Sequence, residues 1–336
     1  MGVTYLRSVQ LLLLLELCAC SSEQPPAPGV YYWQSEWSFT EADGTLARQN
    51  GLTDLYLRML DVDYDPVAKT AVPRGPVQLP DSLNGLSGLR ITPVVYIVND
   101  VFRYAVDAEQ LADRLLTAVN RLAGGHPAIT ESRRLQIDCD WTPATRDAYF
   151  AFLETLRLKR PGTEVSVTVR LHQYRERKQN GIPPADRGLL MCYNMAPVQR
   201  QATRDAIFDP SLLSGYLQGT GKYPLPLDAA LPLFSWGAAF RDERFLGLVD
   251  FPAPAGALLP FPDDRYLVAR DTTVGRLLLR AGDEIRGDGP GTYENLRTAV
   301  QLLRDRDDIE ELLFYDWQPG RLTDYRVADL ITEYYE

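Results

Sequence analysis

Short apolar runs alternate with amphipathic helical runs along the chain from residue 30 to its end. Eight apolar runs are rich in β-branched or aromatic residues, which is typical of strands buried on both faces of a parallel sheet. The predicted strands are 30–37, 54–62, 91–98, 135–140, 165–172, 189–195, 231–236 and 312–317. The predicted helices between them include 108–122, 144–158, 293–303 and 324–334.

Strand–helix alternation of this kind implies βαβ units and a parallel sheet. Eight such units predict an α/β fold, a (β/α)8 TIM barrel formed as a single domain by residues 30–336. The stretch 240–289 is too long for one βα connection and contains several short apolar runs. We therefore expect an inserted hairpin or lid between strands 7 and 8 of the barrel.

The composition supports a folded domain and argues against two classes of partner, nucleic acid and anionic lipid. Of the 336 residues, 45% are hydrophobic and 24% are charged, which is enough apolar material for a large core. The net charge of -10 argues against nucleic acid, whose binding depends on neutralising phosphates. The same charge argues against electrostatic docking on anionic lipid.

Residues 1–19 have the pattern of a signal peptide, with Arg7 before the apolar run 11–15. Leu17-Cys18-Ala19-Cys20 follows and resembles the lipobox of bacterial lipoproteins, with Cys20 as the acylated residue. Residues 20–29 then form a proline-containing tether. This interpretation predicts lipid anchoring in the bacterial cell envelope, on the periplasmic or surface side of the outer membrane. The alternative is an ordinary cleaved signal peptide with an incidental cysteine.

Cys139 and Cys192, the cysteines of the globular part, fall inside predicted strands and are expected to be buried free thiols. With His126 and His172 as the only histidines, a histidine-rich metal site is impossible. The sequence also lacks the G-x-S-x-G, P-loop, H-E-x-x-H and dinucleotide-binding motifs. We therefore predict no metal and no cofactor.

Tryptophan is concentrated at one end of the predicted barrel. All five tryptophans fall at or after the carboxyl ends of strands, where TIM barrels place their active sites. They are Trp33, Trp37, Trp141, Trp236 and Trp317. Flat aromatic faces suit the C–H faces of sugar rings, so this pattern favours a saccharide cleft. The alternative, packing of the barrel rim, is expected to hold for two or three of them.

Carboxylates also converge on this end. Alternation along predicted strand 4 places Asp138 and Asp140 on one face, and alternation along strand 5 places Arg170 and His172 on one face. Two buried carboxylates are costly unless paired, so we expect Arg170 to lie near Asp138 or Asp140. The alternative is a structural ion-pair network, for which Arg58 is a second buried cation.

A hydrolase would also need a general acid, whose pKa must be raised. An arginine neighbour is expected to lower the pKa of Asp138 and Asp140. Glu36 lies between Trp33 and Trp37, and this setting makes it the predicted acid, with Asp316 and Asp61 in reserve. The candidate catalytic residues are thus Asp138, Asp140 and Glu36.

Two segments resemble family 18 glycoside hydrolases, the chitinases and their relatives. Residues 135–142 (LQIDCDWT) resemble that family's D-x-x-D-x-D-x-E strand-4 motif, and Met191-Cys-Tyr-Asn194 resembles its M-x-Y-D/N segment. The resemblance implies that Asp140 orients the N-acetyl group of a substrate, that Asp138 supports it, and that Tyr193 contacts the sugar. The whole chain also resembles the TIM-barrel lipoproteins common in Bacteroidetes genomes.

The sequence departs from the family motif at two positions. Leu135 replaces its first aspartate, and Thr142 replaces its catalytic glutamate. Thr142-Pro143 would instead suit the N-cap and first position of a helix.

Three hypotheses therefore remain: a glycoside hydrolase, a catalytically inactive glycan-binding barrel, and a structural envelope lipoprotein. The expected ligand is carbohydrate, which the resemblance suggests is N-acetylated. The candidate substrate-binding residues are Tyr193, Asn194, Trp33, Trp141, Trp236, Trp317, Arg170, His172 and Asp316.

Overall fold

A computed structural model describes residues 27–104, 106–250, 256, 258–262 and 264–336. The predicted signal peptide, Cys20 and most of the predicted tether lie outside the described residues. The strands are β1 Gly29–Tyr32, β2 Asp54–Asp65, β3 Thr70–Arg74, β4 Arg90–Ile97, β5 Arg134–Asp138, β6 Glu164–Arg170, β7 Arg187–Met191, β8 Leu227–Pro232, β9 Trp236–Arg241, β10 Arg244–Asp250, β11 Leu258–Phe261, β12 Arg265–Val268, β13 Thr272–Val274, β14 Leu277–Leu279, β15 Glu284–Asp288 and β16 Ile309–Tyr315.

The helices lie mostly between the barrel strands. They are α1 Glu41–Gln49, α2 Ala108–Leu122, α3 Pro127–Thr130, α4 Arg146–Lys159, α5 Leu171–Arg175, α6 Arg177–Asn180, α7 Pro210–Leu217, α8 Tyr293–Arg304, α9 Pro319–Asp324 and α10 Val327–Tyr335. A 3-10 turn spans Asn99–Arg103. Among the described residues, no helix combines the length and the apolar character needed to cross a membrane.

Eight parallel strands close into a barrel, which confirms the predicted fold. Their order around the barrel is β1-β16-β8-β7-β6-β5-β4-β2, and β1 pairs with β2 to complete the ring. Each of the eight predicted strands overlaps one of these barrel strands. The far end of β2 continues beyond the barrel and pairs antiparallel with β3. This hairpin therefore projects from the carboxyl-terminal end of the barrel.

Alternation along each strand separates the two cores of the barrel. In β6, Val165, Val167 and Val169 are fully buried and face the helical layer, whereas Ser166 and Thr168 face inward. The helices are positioned by end caps as well as by their apolar faces. The Asp107 carboxylate accepts from the Gln110 backbone N–H at 2.7 Å and caps α2. The barrel interior is thus left to polar side chains that must find partners across neighbouring strands.

The predicted insertion is present between β8 and β16. It forms a five-stranded antiparallel sheet, in the order β10-β9-β15-β12-β11, and a separate hairpin of β13 and β14. Arg286 joins it to the barrel, because its buried guanidinium pairs with Asp288 and donates to the carbonyls of Val198 and Arg200. The predicted bounds of strand 7, 231–236, are wrong, because the corresponding strand β8 begins at Leu227 and ends at Pro232. Trp236 instead pairs with Asp288 inside the insertion.

An ion-pair network fills the amino-terminal end of the barrel. Asp228 is fully buried and lies 2.7 Å from an Arg187 nitrogen and 3.6 Å from an Arg134 nitrogen. Arg134 also pairs with Glu311 at 3.2 Å and with Glu164 at 2.5 Å. A cavity of about 790 Å³ opens beside this network, at the end of the barrel opposite the predicted site. TIM barrels use this end for stability rather than for chemistry.

Gly44 provides a test of how tightly α1 packs. A Cβ atom on Gly44 would lie 1.8 Å from the carbonyl oxygen of Gly85, a backbone atom that cannot move aside. We expect Gly44→Ala to lower the free energy of unfolding by about 2 kcal/mol, as overpacking does. Gly215→Ala in α7 is the control, since no atom lies within 4 Å of its Cβ position. Urea unfolding should show the control about 0.5–1 kcal/mol more stable than wild type. Equal effects at both positions would contradict this packing.

Candidate functional site at the carboxyl-terminal mouth of the barrel

The site is built on a ladder of polar pairs between β5 and β6. The register places Gln136 opposite Ser166, and the amide of Gln136 donates to the Ser166 hydroxyl at 3.3 Å. One step toward the mouth, the Thr168 hydroxyl donates to Asp138 Oδ1 at 2.7 Å. At the mouth itself, Arg170 binds both oxygens of Asp140, with its Nη2 2.5 Å from Oδ2. The predicted pairing of Arg170 with an aspartate of strand 4 is confirmed.

Asp140 and Arg170 form the accessible top of this ladder. Their side chains are 38% and 28% exposed, so a ligand in the mouth can reach both groups. The bidentate geometry is the strong form of a carboxylate–guanidinium contact and fixes both side chains. Asp140 is therefore held in one orientation and its charge is compensated within the protein.

Asp138 lies one step deeper and has no such cation. It is 7% exposed, and no described residue makes an ion pair with it. Burial, and then the charge of Asp140, raises the pKa of Asp138 to about 7, despite the Thr168 hydrogen bond. The expectation of a lowered pKa is thus wrong for Asp138. The physical reason is that the Arg170 guanidinium reaches Asp140 instead and leaves the deeper carboxyl to a hydroxyl.

The opposite side of the mouth is aromatic. Tyr315, at the end of β16, stacks on Tyr193 with ring centroids 5.2 Å apart. The same ring contacts Trp33 at 5.6 Å and Phe234 at 5.4 Å. Tyr31 lies below, 5.4 Å from Tyr315, and its hydroxyl donates to Gln136. Tyr31, Phe234 and Tyr315 are not among the predicted site residues. Alternation along predicted strands 1, 7 and 8 would nevertheless place their side chains inside the barrel.

Tyr193 is the predicted sugar-contacting residue, and it lies at the centre of the mouth. Its side chain is 4% exposed, yet its hydroxyl has no hydrogen-bond partner among the described residues. Burial, and then the charges of Tyr315 and Asp138, raises the pKa of Tyr193. An unpartnered buried hydroxyl beside a carboxyl can hydrogen-bond a ligand. The next residue, Asn194, is exposed and adopts a left-handed conformation with φ of 56°.

The five tryptophans divide into two groups. Trp141 is 1% exposed, stacks on Tyr149 and donates its indole N–H to the Asn180 carbonyl at 3.1 Å. Trp317 is 4% exposed and packs on Phe39. Both are part of the core, so their predicted role as sugar platforms is wrong. Trp37 also belongs to the packing side, since it lies against Tyr32 and Phe39.

Trp33 and Trp236 remain partly exposed at the mouth. Trp236 packs on Phe234 at 5.2 Å, and its indole N–H has no partner among the described residues. Each therefore presents aromatic surface to solvent near Tyr315 or Phe234. These two are the tryptophans whose placement fits a ligand platform.

Glu36 does not have the environment that its predicted role requires. Its side chain is exposed, and its backbone forms an isolated bridge with Gln78 at the start of the connection to α1. The aromatic rings of Trp33 and Trp37 pack on other rings instead of enclosing it. The prediction of Glu36 as the acid assumed that aromatic rings surround its carboxyl, and this assumption is wrong.

Two other candidates lie at the edge of the mouth. Asp316 is half-buried, accepts a hydrogen bond from the Gln318 amide at 2.9 Å, and has a pKa raised by burial. His172 is exposed in the first turn of α5, two residues after Arg170. Asp316 is thus a half-buried carboxyl beside the aromatic side, whereas His172 lies outside the polar ladder.

Thr142 occupies the position of the glutamate in the resembled motif. Its hydroxyl lies 3.2 Å from the Thr145 hydroxyl, which donates to Asn99 at 2.6 Å. Helix α4 begins at Arg146, with Thr145 as the N-cap residue, so the expected cap at Thr142 is wrong. Thr142 therefore helps to close the turn between β5 and α4 and places a neutral hydroxyl at the mouth.

No cluster of three or more histidine, cysteine, aspartate or glutamate side chains suited to a metal occurs within the described part of the chain. Cys139 and Cys192 are buried free thiols. Cys139 points toward the helical layer, away from Asp138 and Asp140. The chemistry available at the mouth is thus that of carboxyl, guanidinium and aromatic hydroxyl groups.

Solved structures resemble this chain across the whole barrel. They include the spore cortex-lytic enzyme SleL of Bacillus cereus, at 16% identity and a TM-score of 0.54 over 92% of this chain and 74% of that one. A chitinase from Chromobacterium violaceum matches at 10% identity and 0.55, over 90% and 98%. A GH18 chitinase from Cycas revoluta, solved with (GlcNAc)4, matches at 12% and 0.53, over 93% and 100%.

Neither a family model nor a curated protein matches the sequence. At such low identities the structural likeness shows the fold alone. The chain is a (β/α)8 barrel like those of the chitinase-like enzymes.

Asp138 gives a prediction for stability against pH. Between about pH 4 and pH 7 the folded protein holds the Asp138 proton and the unfolded chain does not, so wild-type stability falls as the pH rises. Asp138→Asn removes the titrating carboxyl. The asparagine amide oxygen can still accept the hydrogen bond from the Thr168 hydroxyl. Relative to wild type, the variant should gain up to about 4 kcal/mol across that range.

Urea unfolding at pH 4, 5.5, 7 and 8 would measure this difference. The control is Asp147→Asn, which removes a carboxyl that is 85% exposed on the outside of α4. Its difference from wild type should be nearly constant with pH. A constant difference for Asp138→Asn as well would contradict a buried, cation-free Asp138.

Proposed function

We propose that the protein binds carbohydrate in the mouth of the barrel. The observation that carries this proposal is the division of the mouth into an aromatic side around Tyr315 and a charged side around Asp140. A pyranose ring has an apolar C–H face and a rim of hydroxyls, and it needs both kinds of contact at once. The Tyr193 hydroxyl and the Trp236 indole N–H, which are buried and have no partner among the described residues, add hydrogen-bonding groups on the aromatic side.

Binding without turnover agrees best with the carboxyl groups. Hydrolysis of a glycoside needs an acid that protonates the leaving oxygen and a second group that stabilises the sugar cation. Thr142 supplies no proton at neutral pH, and the carboxylate of Asp140 is tied to Arg170. Asp138, with its raised pKa, is buried beneath Asp140.

Hydrolysis is a second candidate function because of Asp316. Its half-buried carboxyl has a raised pKa and lies near Tyr315, since its charge raises the pKa of that tyrosine. A half-buried carboxyl with a raised pKa beside an aromatic platform has the property of a general acid. In this candidate Asp140 would stabilise charge on the sugar.

The test begins with binding of a pooled set of bacterial and host glycans to the purified protein. We expect Trp33→Ala and Trp236→Ala each to weaken binding by about tenfold, since each removes aromatic contact area. Tyr216→Ala in α7, on the helical layer, is the matched aromatic control and should bind as wild type does. If no glycan binds and none shifts the melting temperature, the proposal is wrong.

Mass spectrometry of the same mixtures separates binding from hydrolysis. Bound but unshortened glycans would support the binding protein. Products that disappear with Asp316→Asn and with Asp140→Asn would establish the hydrolase instead. Thr142→Glu places a carboxyl at the position where the resembled motif has its glutamate. Turnover by this variant but not by wild type would show that the binding site lacks only the acid needed for hydrolysis.

We also propose that the protein is a lipoprotein of the bacterial envelope, anchored through acylated Cys20. The support is the Leu17-Cys18-Ala19-Cys20 sequence after an apolar run. Expressed as the full chain in a bacterium, the mature protein should begin at Cys20 and carry acyl mass on its first residue. Cys18→Ala is the control and should be acylated as wild type is, whereas Cys20→Ala should not. An unmodified mature terminus in wild type would contradict the anchor.

A further inference from the structure

Carboxyl groups outnumber guanidinium groups in the mouth. The pKa of Tyr315 is raised by burial first and then by the charges of Asp316, Asp138 and Asp61, against which only Arg58 acts. The two arginines of the mouth are already engaged: Arg58 with Asp61 at 2.7 Å, and Arg170 with Asp140. Asp138 and Asp316 therefore remain without an ion pair among the described residues.

Asp138 is the buried carboxyl of the mouth that lacks a counter-charge within the described part of the chain. Its Oδ1 accepts from Thr168, and its Oδ2 accepts no hydrogen bond from the described residues. The unpartnered hydroxyl of Tyr193 is close enough that the charge of Asp138 raises the pKa of that tyrosine. Asp138 Oδ2 and the Tyr193 hydroxyl thus both lack a hydrogen-bond partner among the described residues, in side chains that are nine-tenths or more buried.

An ammonium group would complete this arrangement. It is a compact cation with three N–H donors, whereas a carboxylate and a phenol oxygen are both acceptors. A buried carboxylate is costly when it is uncompensated, so a ligand cation that supplies its counter-charge gains more than a neutral hydroxyl does. We infer that the mouth selects saccharides that carry a free, protonated amine over neutral saccharides of the same size. This inference rests on the proposed carbohydrate-binding function.

Binding of such an amine should release a proton from Asp138. Its pKa of about 7 leaves the carboxyl half-protonated at neutral pH, and a bound cation favours the charged form. Other charged and titratable groups also surround Asp138. Because they belong to the protein, they are the same for every saccharide compared and do not by themselves distinguish an amine from a neutral group. They are Tyr31, Asp61, Tyr96, Cys139, Asp140, Tyr149, Arg170, Tyr193 and Tyr315.

Three tetrasaccharides that differ only at carbon 2 test this inference by calorimetry: the tetramer of glucosamine, the tetramer of N-acetylglucosamine, and cellotetraose. At low salt and pH 6.5–7 the glucosamine tetramer should bind about tenfold more tightly than the other two. The advantage should shrink with added salt, as screening requires. Titrations at pH 5.5, where the amine and Asp138 both carry their protons before binding, in buffers of different ionisation enthalpy should show proton release for the amine alone.

Asp138→Asn should remove both the amine preference and the proton release, so that the glucosamine tetramer no longer binds more tightly than the two neutral tetramers. Asp147→Asn, which removes one carboxyl that is 85% exposed on the outer helix α4, should keep both. If Asp138→Asn does not fold, the wild-type comparison of the three sugars still decides the matter.

Equal or tighter binding of a neutral tetramer would overturn the inference and leave the proposed function standing. A protein that binds other glycans of the pooled set but none of the three tetramers would overturn it as well. Failure to bind any glycan would remove the proposed function itself.

Discussion

The register between β5 and β6 determines the chemistry of the mouth. Parallel strands that close a barrel place each inward side chain directly against one on the next strand, so the partner of every polar group is fixed by the pairing. Asp140 is matched with a guanidinium, whereas Asp138 is matched with a hydroxyl. The resulting site has a compensated carboxylate above an uncompensated carboxyl, and its other properties follow from that difference.

Buried carboxyls at the two ends of the barrel differ in whether an arginine is paired with them. At the amino-terminal end, Asp228 lies between the guanidiniums of Arg134 and Arg187, so its counter-charges come from the protein itself. At the carboxyl-terminal end, Asp138 lacks a counter-charge within the described chain. An interior ion-pair network is therefore present, as one hypothesis expected, but it accounts for the end opposite the mouth. A purely structural role does not explain why Asp138 is buried without a counter-charge among the described residues.

Much of this could be predicted from the sequence, because periodicity of two identifies buried strands and their inward faces. The pairing of Arg170 with strand 4 followed from alternation alone. The same alternation would have placed Trp141 outside the barrel, since Asp138 and Asp140 point inward, but its position after the strand was given more weight. The depth of Asp138 could not be predicted, because it depends on which of two aspartates Arg170 reaches. The exposure of Glu36 depends on the path of a loop, which periodicity does not describe.

Under the proposed function, strand order also decides how a sugar would lie in the mouth. One set of mouth residues lies in or directly after β2, β5 and β6: Asp61, Asp138, Asp140 and Arg170. The other set lies in or after β1, β7, β8 and β16: Tyr31, Tyr193, Phe234 and Tyr315. Each set occupies one arc of the ring, and Asp316, which follows β16, is a carboxyl on the aromatic arc. A pyranose stacked on Tyr315 must therefore turn its substituents toward Asp138 and Asp140. Selection among saccharides then depends on which substituent the charged arc receives, and the aromatic arc contributes affinity that all of them share.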